Sequence, residues 1–142
     1  MKINPSDITE VATPFMQETH LEEIAMLNEL YDLFDQVRQG LETPDLTQKI
    51  DAVVAHTHAH FERENEHMFV LNFPPYAVHK QVHDEHLQTL DHVVATWKKD
   101  GDIEPLFVFF EDTTPAWMKQ HISTMDFVTA NFFAMVEQNS NA

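Results

Sequence analysis

Along this chain of 142 residues, apolar side chains recur at helical spacing in four stretches, and histidine breaks the apolar stripe in every one. The first stripe reads Met16, His20, Ile24, Leu27, Tyr31, Phe34, and the second Val53, His60, Glu64, Met68, Leu71. The third reads Tyr76, His79, His83, Leu87, Leu90, Val94, Trp97, and the fourth Met118, His121, Met125, Val128, Phe132, Met135. Steps of three and four put each set on one face. Helices of this kind bury their stripes against one another. The expected fold is all-α, an up-down-up-down four-helix bundle.

Helix-end signals fit that reading. Thr13-Pro14, Thr43-Pro44-Asp45 and Thr114-Pro115 read as helix starts, with proline tolerated at the first helical position. Gly40 and Gly101 read as stops, and Pro74-Pro75 closes the second stretch. The run Leu106-Phe107-Val108-Phe109-Phe110 is too apolar for a free loop. It reads as a short extra helical segment before the last helix, packed over one end of the bundle. The whole chain is expected to form one domain, 1–142, with a helical core over about 14–138 and a frayed tail after Gln138. Gly occurs only 2 times, which disfavours turn-rich β-architectures.

Buried polar side chains need partners, and an unpaired one costs roughly 1–3 kcal/mol. Several at one depth can be satisfied together by a metal cluster. His60 and Glu64 are four apart, as are His79 and His83, so each pair reaches one spot from one helix. With 10 histidines, 24 acidic residues and no cysteine, the ligand chemistry suits iron, zinc or manganese. It excludes disulfides, thiolate zinc sites, iron–sulfur clusters and thiol catalysis. The candidate ligands outnumber those of a closed four-ligand site, which favours two metals over one. Asp126 follows His121 by five residues, which puts the two about 140° apart on a regular helix. They share a face only if the helix is locally widened, as in a π-turn, or if two ions flank it.

A net charge of −16 opposes binding to phosphate backbones and anionic lipid, so neither nucleic acid nor membrane is expected as a partner. No stretch approaches the ~20 apolar residues of a membrane span. No apolar run follows the charge near Met1, so no signal peptide is read and a cytoplasmic protein is expected.

Four segments resemble the hemerythrin family, in the family's order. Glu18-Thr19-His20-Leu21-Glu22-Glu23-Ile24 is similar to its first-helix histidine motif, and His60-Phe61-Glu62-Arg63-Glu64 to its HFxxE element. His79-Lys80-Gln81-Val82-His83 is similar to HxxxH, and Trp117-Met118-Lys119-Gln120-His121-Ile122 through Asp126 to WLxxHIxxxD. The resemblance spans roughly residues 14 to 136. It implies a non-haem centre of two iron ions with an oxo or hydroxo bridge. His79, His83 and His121 would hold one iron, His20 and His60 the other, and Glu64 and Asp126 would bridge them. The second iron, one ligand short, would bind O2 reversibly as peroxide, for storage, delivery or sensing. A sensor would need a separate protein partner. Met16, Ile24, Phe61, Trp117, Ile122 and Met125 are candidate pocket walls.

Two positions depart from the family pattern. Glu23 stands where the family usually has a bulky apolar residue, and His56 where it often has an aromatic one. Either could be an extra ligand or lie just behind the ligands. Glu23 could instead swing outward, leaving Ile24 in the apolar role. A carboxylate at the open iron is the motivation for the alternative functions: an enzyme acting on peroxide, O2 or nitric oxide. An iron-buffering role is a further alternative. His67 and His86 are expected to be partly exposed.

Overall fold

The computed structural model describes residues 1–140. After a short 3-10 turn at Pro5–Asp7 come three long helices: α1 (Pro14–Arg38), α2 (Leu46–Val70) and α3 (Tyr76–Asp100). A final helical stretch follows, made of α4 (Glu104–Val108), a π-turn (Phe109–Thr113), α5 (Thr114–His121), a second π-turn (Ile122–Asp126) and α6 (Phe127–Ser140). No strand occurs among the described residues. Short connections make α1, α2 and α3 antiparallel neighbours, and α1 packs on α2 and α2 on α3. The result is the expected helical bundle. The helix continues to Ser140, past the point where fraying is expected, and residues 141–142 of that tail lie outside the described residues.

The first two helices end by the same device. After α1, Gly40 adopts a left-handed φ of 75° and Leu41 N–H reaches back to the Gln36 carbonyl at 3.0 Å. After α2, Asn72 takes φ 54° and Phe73 N–H donates to the Met68 carbonyl at 2.9 Å. The second helix therefore stops at a left-handed Asn cap, ahead of the Pro74-Pro75 pair. The Thr13 start is real, but its hydroxyl caps nothing. It donates to the Ala130 carbonyl at 2.8 Å and so ties the start of α1 to α6.

The last helix departs most from expectation. The short helical segment is present as α4, but it leads into α5 without a break. Thr113 and Thr114 are helical, so Thr114-Pro115 is an interior position and not a start. A proline inside a helix lacks a donor and its ring crowds the preceding turn. The π-turn widens the helix just before Pro115. Within it Thr114 N–H and Thr114 Oγ1 both turn to the Phe109 carbonyl. By the same i to i−5 pattern Pro115 would serve the Phe110 carbonyl. The buried Tyr31 hydroxyl donates to that carbonyl instead, at 2.6 Å.

The second π-turn rotates everything beyond it. An extra residue in the turn shifts the inward face by one position. Asp126, Thr129, Ala130 and Phe133 are buried, while Val128 and Met135, expected inside, are 54% and 50% exposed. The regular spacing used to place the fourth stripe fails there for that reason.

Candidate metal centre

Seven polar side chains drawn from every long helix meet in the bundle core. His20 comes from α1, His60 and Glu64 from α2, His79 and His83 from α3, His121 from α5 and Asp126 from the second π-turn. All are buried, and they form two groups, His79–His83–His121–Asp126 and His20–His60–Glu64–Asp126. Within each group the candidate donor atoms lie within 4.8 Å of one another. The π-turn brings Asp126 onto the His121 face despite the spacing of five.

The two carboxylates stand between the groups. Asp126 Oδ1 lies 3.1 Å from His79 Nε2 and 3.0 Å from His121 Nε2, while its Oδ2 lies 3.0 Å from His20 Nε2. Glu64 Oε1 is 3.5 Å from His83 Nε2, and its Oε2 is 2.5 Å from His60 Nε2 and 4.0 Å from His20 Nε2. Each carboxylate thus turns one oxygen to the three-histidine side and the other to the two-histidine side.

Hydrogen bonds satisfy only part of this cluster, through His20 with Asp126 Oδ2 and His60 with Glu64 Oε2. Glu64 Oε1 and Asp126 Oδ1 are buried without a hydrogen-bond partner despite the nitrogens beside them. On the three-histidine side, His121 Nε2 is 3.2 Å from both His79 Nε2 and His83 Nε2. His83 Nδ1 faces Asn65 Oδ1 at 2.8 Å, an acceptor, so His83 carries its proton there and turns a lone pair inward. Burial, with His79 and His121 adding to it, holds His83 down to about 2, so the ring is neutral. The inward lone pair of His83, the other ring nitrogens and the carboxylate oxygens beside them make a donor set that a cation between them would satisfy. The donor set fits a pair of divalent or trivalent ions, and no thiolate restricts it to softer metals.

Charge is managed differently around each carboxylate and ring. Burial pushes the Asp126 carboxyl up, but contacts with His121, His20 and His79 outweigh it and hold Asp126 well below the usual range. Burial pulls His60 down, yet Glu64 and Glu23 together raise it well above its ordinary value.

Aromatic rings wall the three-histidine side. Phe61 stacks on His83 at 4.1 Å between centroids, and Trp117 stacks on His121 at 4.3 Å and on His86 at 3.9 Å. Met16, Ile24 and Ile122 are buried in the surrounding core. Met125 is carried by the π-turn to an outer groove that it shares with Val78, His79 and Val128. His86 is 9% exposed, not the partly exposed residue expected, because the Trp117 ring covers it. Burial lowers it to about 4.

Glu23 does not join the convergent nitrogens. It is buried on the outer side of the His60 ring, with Oε2 3.4 Å from His60 Nδ1 and Oε1 3.1 Å from the Thr57 hydroxyl. His56 lies beyond it, with Nδ1 3.7 Å from Glu23 Oε1 and Nε2 3.3 Å from Glu22 at the surface. Neither residue belongs to the two metal-capable groups. Glu23, Thr57, Phe61, His86, Thr114 and Trp117 border a cavity of about 20 Å³. Sequence reading did not single out Asn65, Thr57 or Thr129. Thr57 sits three residues before His60 on the same helix face, a spacing that could have flagged it. Thr129, whose hydroxyl is 2.8 Å from His79 Nδ1, is hidden from regular periodicity by the π-turn.

The family description "Hemerythrin HHE cation binding domain" matches residues 11–132. Bacteriohemerythrin of Aquifex aeolicus (strain VF5) is 32% identical over 130 residues, which cover 92% of this chain and 96% of that protein. Bacteriohemerythrin of Ralstonia nicotianae (strain ATCC BAA-1114 / GMI1000) is 34% identical over 90 residues, covering 63% of this chain and 64% of that one. No solved structure matches the chain.

Proposed function

Because the chain belongs to the hemerythrin HHE cation-binding family, we propose that it holds two iron ions and binds O2 reversibly. His79, His83 and His121 would hold one iron and His20 and His60 the other, with Glu64 and Asp126 shared between them. The helices act together as one domain in this reading. The observation that carries it is the unequal division of donors: two carboxylates each split between three imidazoles on one side and two on the other. The poorer side is where a small ligand would add. When bound, iron would supply the electrons that O2 takes up and would take them back on release.

The chain's own residues supply the rest. Five imidazoles from four directions fix the spacing of the two sides. Neutral partners at His79 and His83, the Thr129 hydroxyl and the Asn65 amide, hold those rings in the orientation that turns Nε2 inward. The buried Met16, Ile24, Phe61 and Ile122 exclude water from the surroundings. Glu23 lies outside the inner face of the cluster. Nothing in that geometry favours a turnover role for it over simple binding. The described residues contain no helix long and apolar enough to cross a membrane.

The test is a spectrum. Ferrous protein prepared without oxygen should develop near-ultraviolet and visible absorption in air and lose it when oxygen is swept out, through repeated cycles. Irreversible oxidation on first exposure, with no adduct that can be discharged, would overturn reversible binding.

A further inference from the structure

We propose that Glu23 is a positioning residue for His60: its carboxylate accepts a hydrogen bond from the Nδ1–H of that ring and so keeps Nε2 turned inward as a metal donor. The inference rests on the reading of His60 as a ligand. Among the described residues, His60 is the one ring of the cluster whose Nδ1 faces a carboxylate, at 3.4 Å. That Nδ1 is buried with no hydrogen-bond partner of its own, so the approach of Glu23 Oε2 is its one route to satisfaction. Glu23 is in turn held from behind. The Thr57 hydroxyl lies 3.1 Å from Glu23 Oε1 and 2.9 Å from the Val53 carbonyl, so its single proton is shared between them. His56 Nδ1 approaches the same Oε1 at 3.7 Å.

The alternatives for a buried carboxylate in this place are poorer. Turned outward, it would vacate a position bordered by Leu27, Val53, Phe61 and Leu90. Turned toward the cluster, it would crowd Glu64 Oε2, which already sits 2.5 Å from His60 Nε2. A carboxylate behind an imidazole makes the ring a stronger donor, and such partners change metal affinity by about 10–100-fold. On the three-histidine side, the Nδ1 atoms of His79 and His83 meet a hydroxyl and an amide instead. The effect therefore falls on the side with fewer nitrogens, where a stronger donor compensates for a missing one.

The experiment uses zinc as a diamagnetic probe and follows the His60 ring by 15N and 1H NMR in the full chain. Wild-type protein should show a His60 Nδ1–H that is far downfield and slow to exchange with water, and an Nε2 shift that moves on zinc addition. Glu23→Leu should speed that exchange at least about tenfold and weaken zinc binding by about 10–100-fold. Glu23→Gln, which keeps the shape and a neutral acceptor, should fall between, and Glu23→Asp should recover part of the loss. If Nε2 does not respond to zinc, His60 is not a ligand and the metal assignment itself fails. If Nε2 responds but Nδ1–H exchange and zinc affinity are the same in wild type, Glu23→Gln and Glu23→Leu, Glu23 does not position the ring.

Discussion

The two sides of the centre are built from the same side chains in different surroundings. The three-histidine side is set among neutral groups: Thr129, Asn65, the Phe61 ring over His83, and the Trp117 ring over His121 and His86. The two-histidine side backs onto charge. Behind His60 stands Glu23, then His56, then the exposed Glu22, while His20 Nδ1 has no hydrogen-bond partner among the described residues. One side is richer in ring nitrogens and walled by aromatic rings. The other is poorer in donors and linked by polar groups to the surface. A binding centre needs that inequality, because a site with equal and complete shells has no position for a ligand.

The strongest break of the comparison removes what the sides share. Asp126→Ala takes an oxygen from both groups at once and should empty both sides, with metal content after dialysis falling by about tenfold or more. Retention of a full complement would mean that Asp126 serves neither. Removing a private ligand should separate the sides. His20→Ala should cost the two-histidine side its metal and leave about half the total, whereas His83→Ala should weaken the richer side and, through the shared carboxylates, lower the total further. Equal losses from the two variants would erase the distinction drawn here.

A third measurement tests how dry the richer side is. His86 is held near 4 by burial, against an ordinary value of 6.5. Between those values this ring binds more protons in the unfolded chain than in the folded one, so its contribution to stability should rise with pH across roughly 4 to 6.5 and stay constant above. The full effect is about 3 kcal/mol at most. Denaturant unfolding of the metal-free protein at several pH values reads it, and His86→Phe should flatten the slope in that window. An unchanged slope would mean that His86 is hydrated in solution. The smallest effect expected is that of Thr129→Val, which removes the hydroxyl behind His79. It should weaken metal on the richer side alone, at the lower end of the 10–100-fold range, as read by competition with a chelator.

How much of this was legible in the sequence depends on whether regular helix geometry holds locally. His20, His60, Glu64, His79 and His83 lie on uninterrupted helices, so spacing of three and four placed them on the inward faces where the structure has them. Past His121 the same rule points to Met125, Val128 and Met135, and the π-turn puts Asp126, Thr129 and Phe133 there instead. The spacing from His121 to Asp126 was the visible trace of that turn, but only the resemblance selected Asp126. Pro115 misled in the opposite direction. It looks like a start, yet the Tyr31 hydroxyl, 84 positions earlier in the chain, supplies a donor to the carbonyl that the proline leaves unserved. Glu23 could be picked out as unusual but not oriented, since nothing in a linear pattern says which edge of the His60 ring a carboxylate will meet.

The most direct test of the central claim is a crystal of the iron-loaded protein measured at the iron absorption edge. Two anomalous peaks are predicted, one within bonding distance of His79, His83 and His121, the other of His20 and His60, with Glu64 and Asp126 reaching both. A single peak, or iron located away from these side chains, would contradict the account.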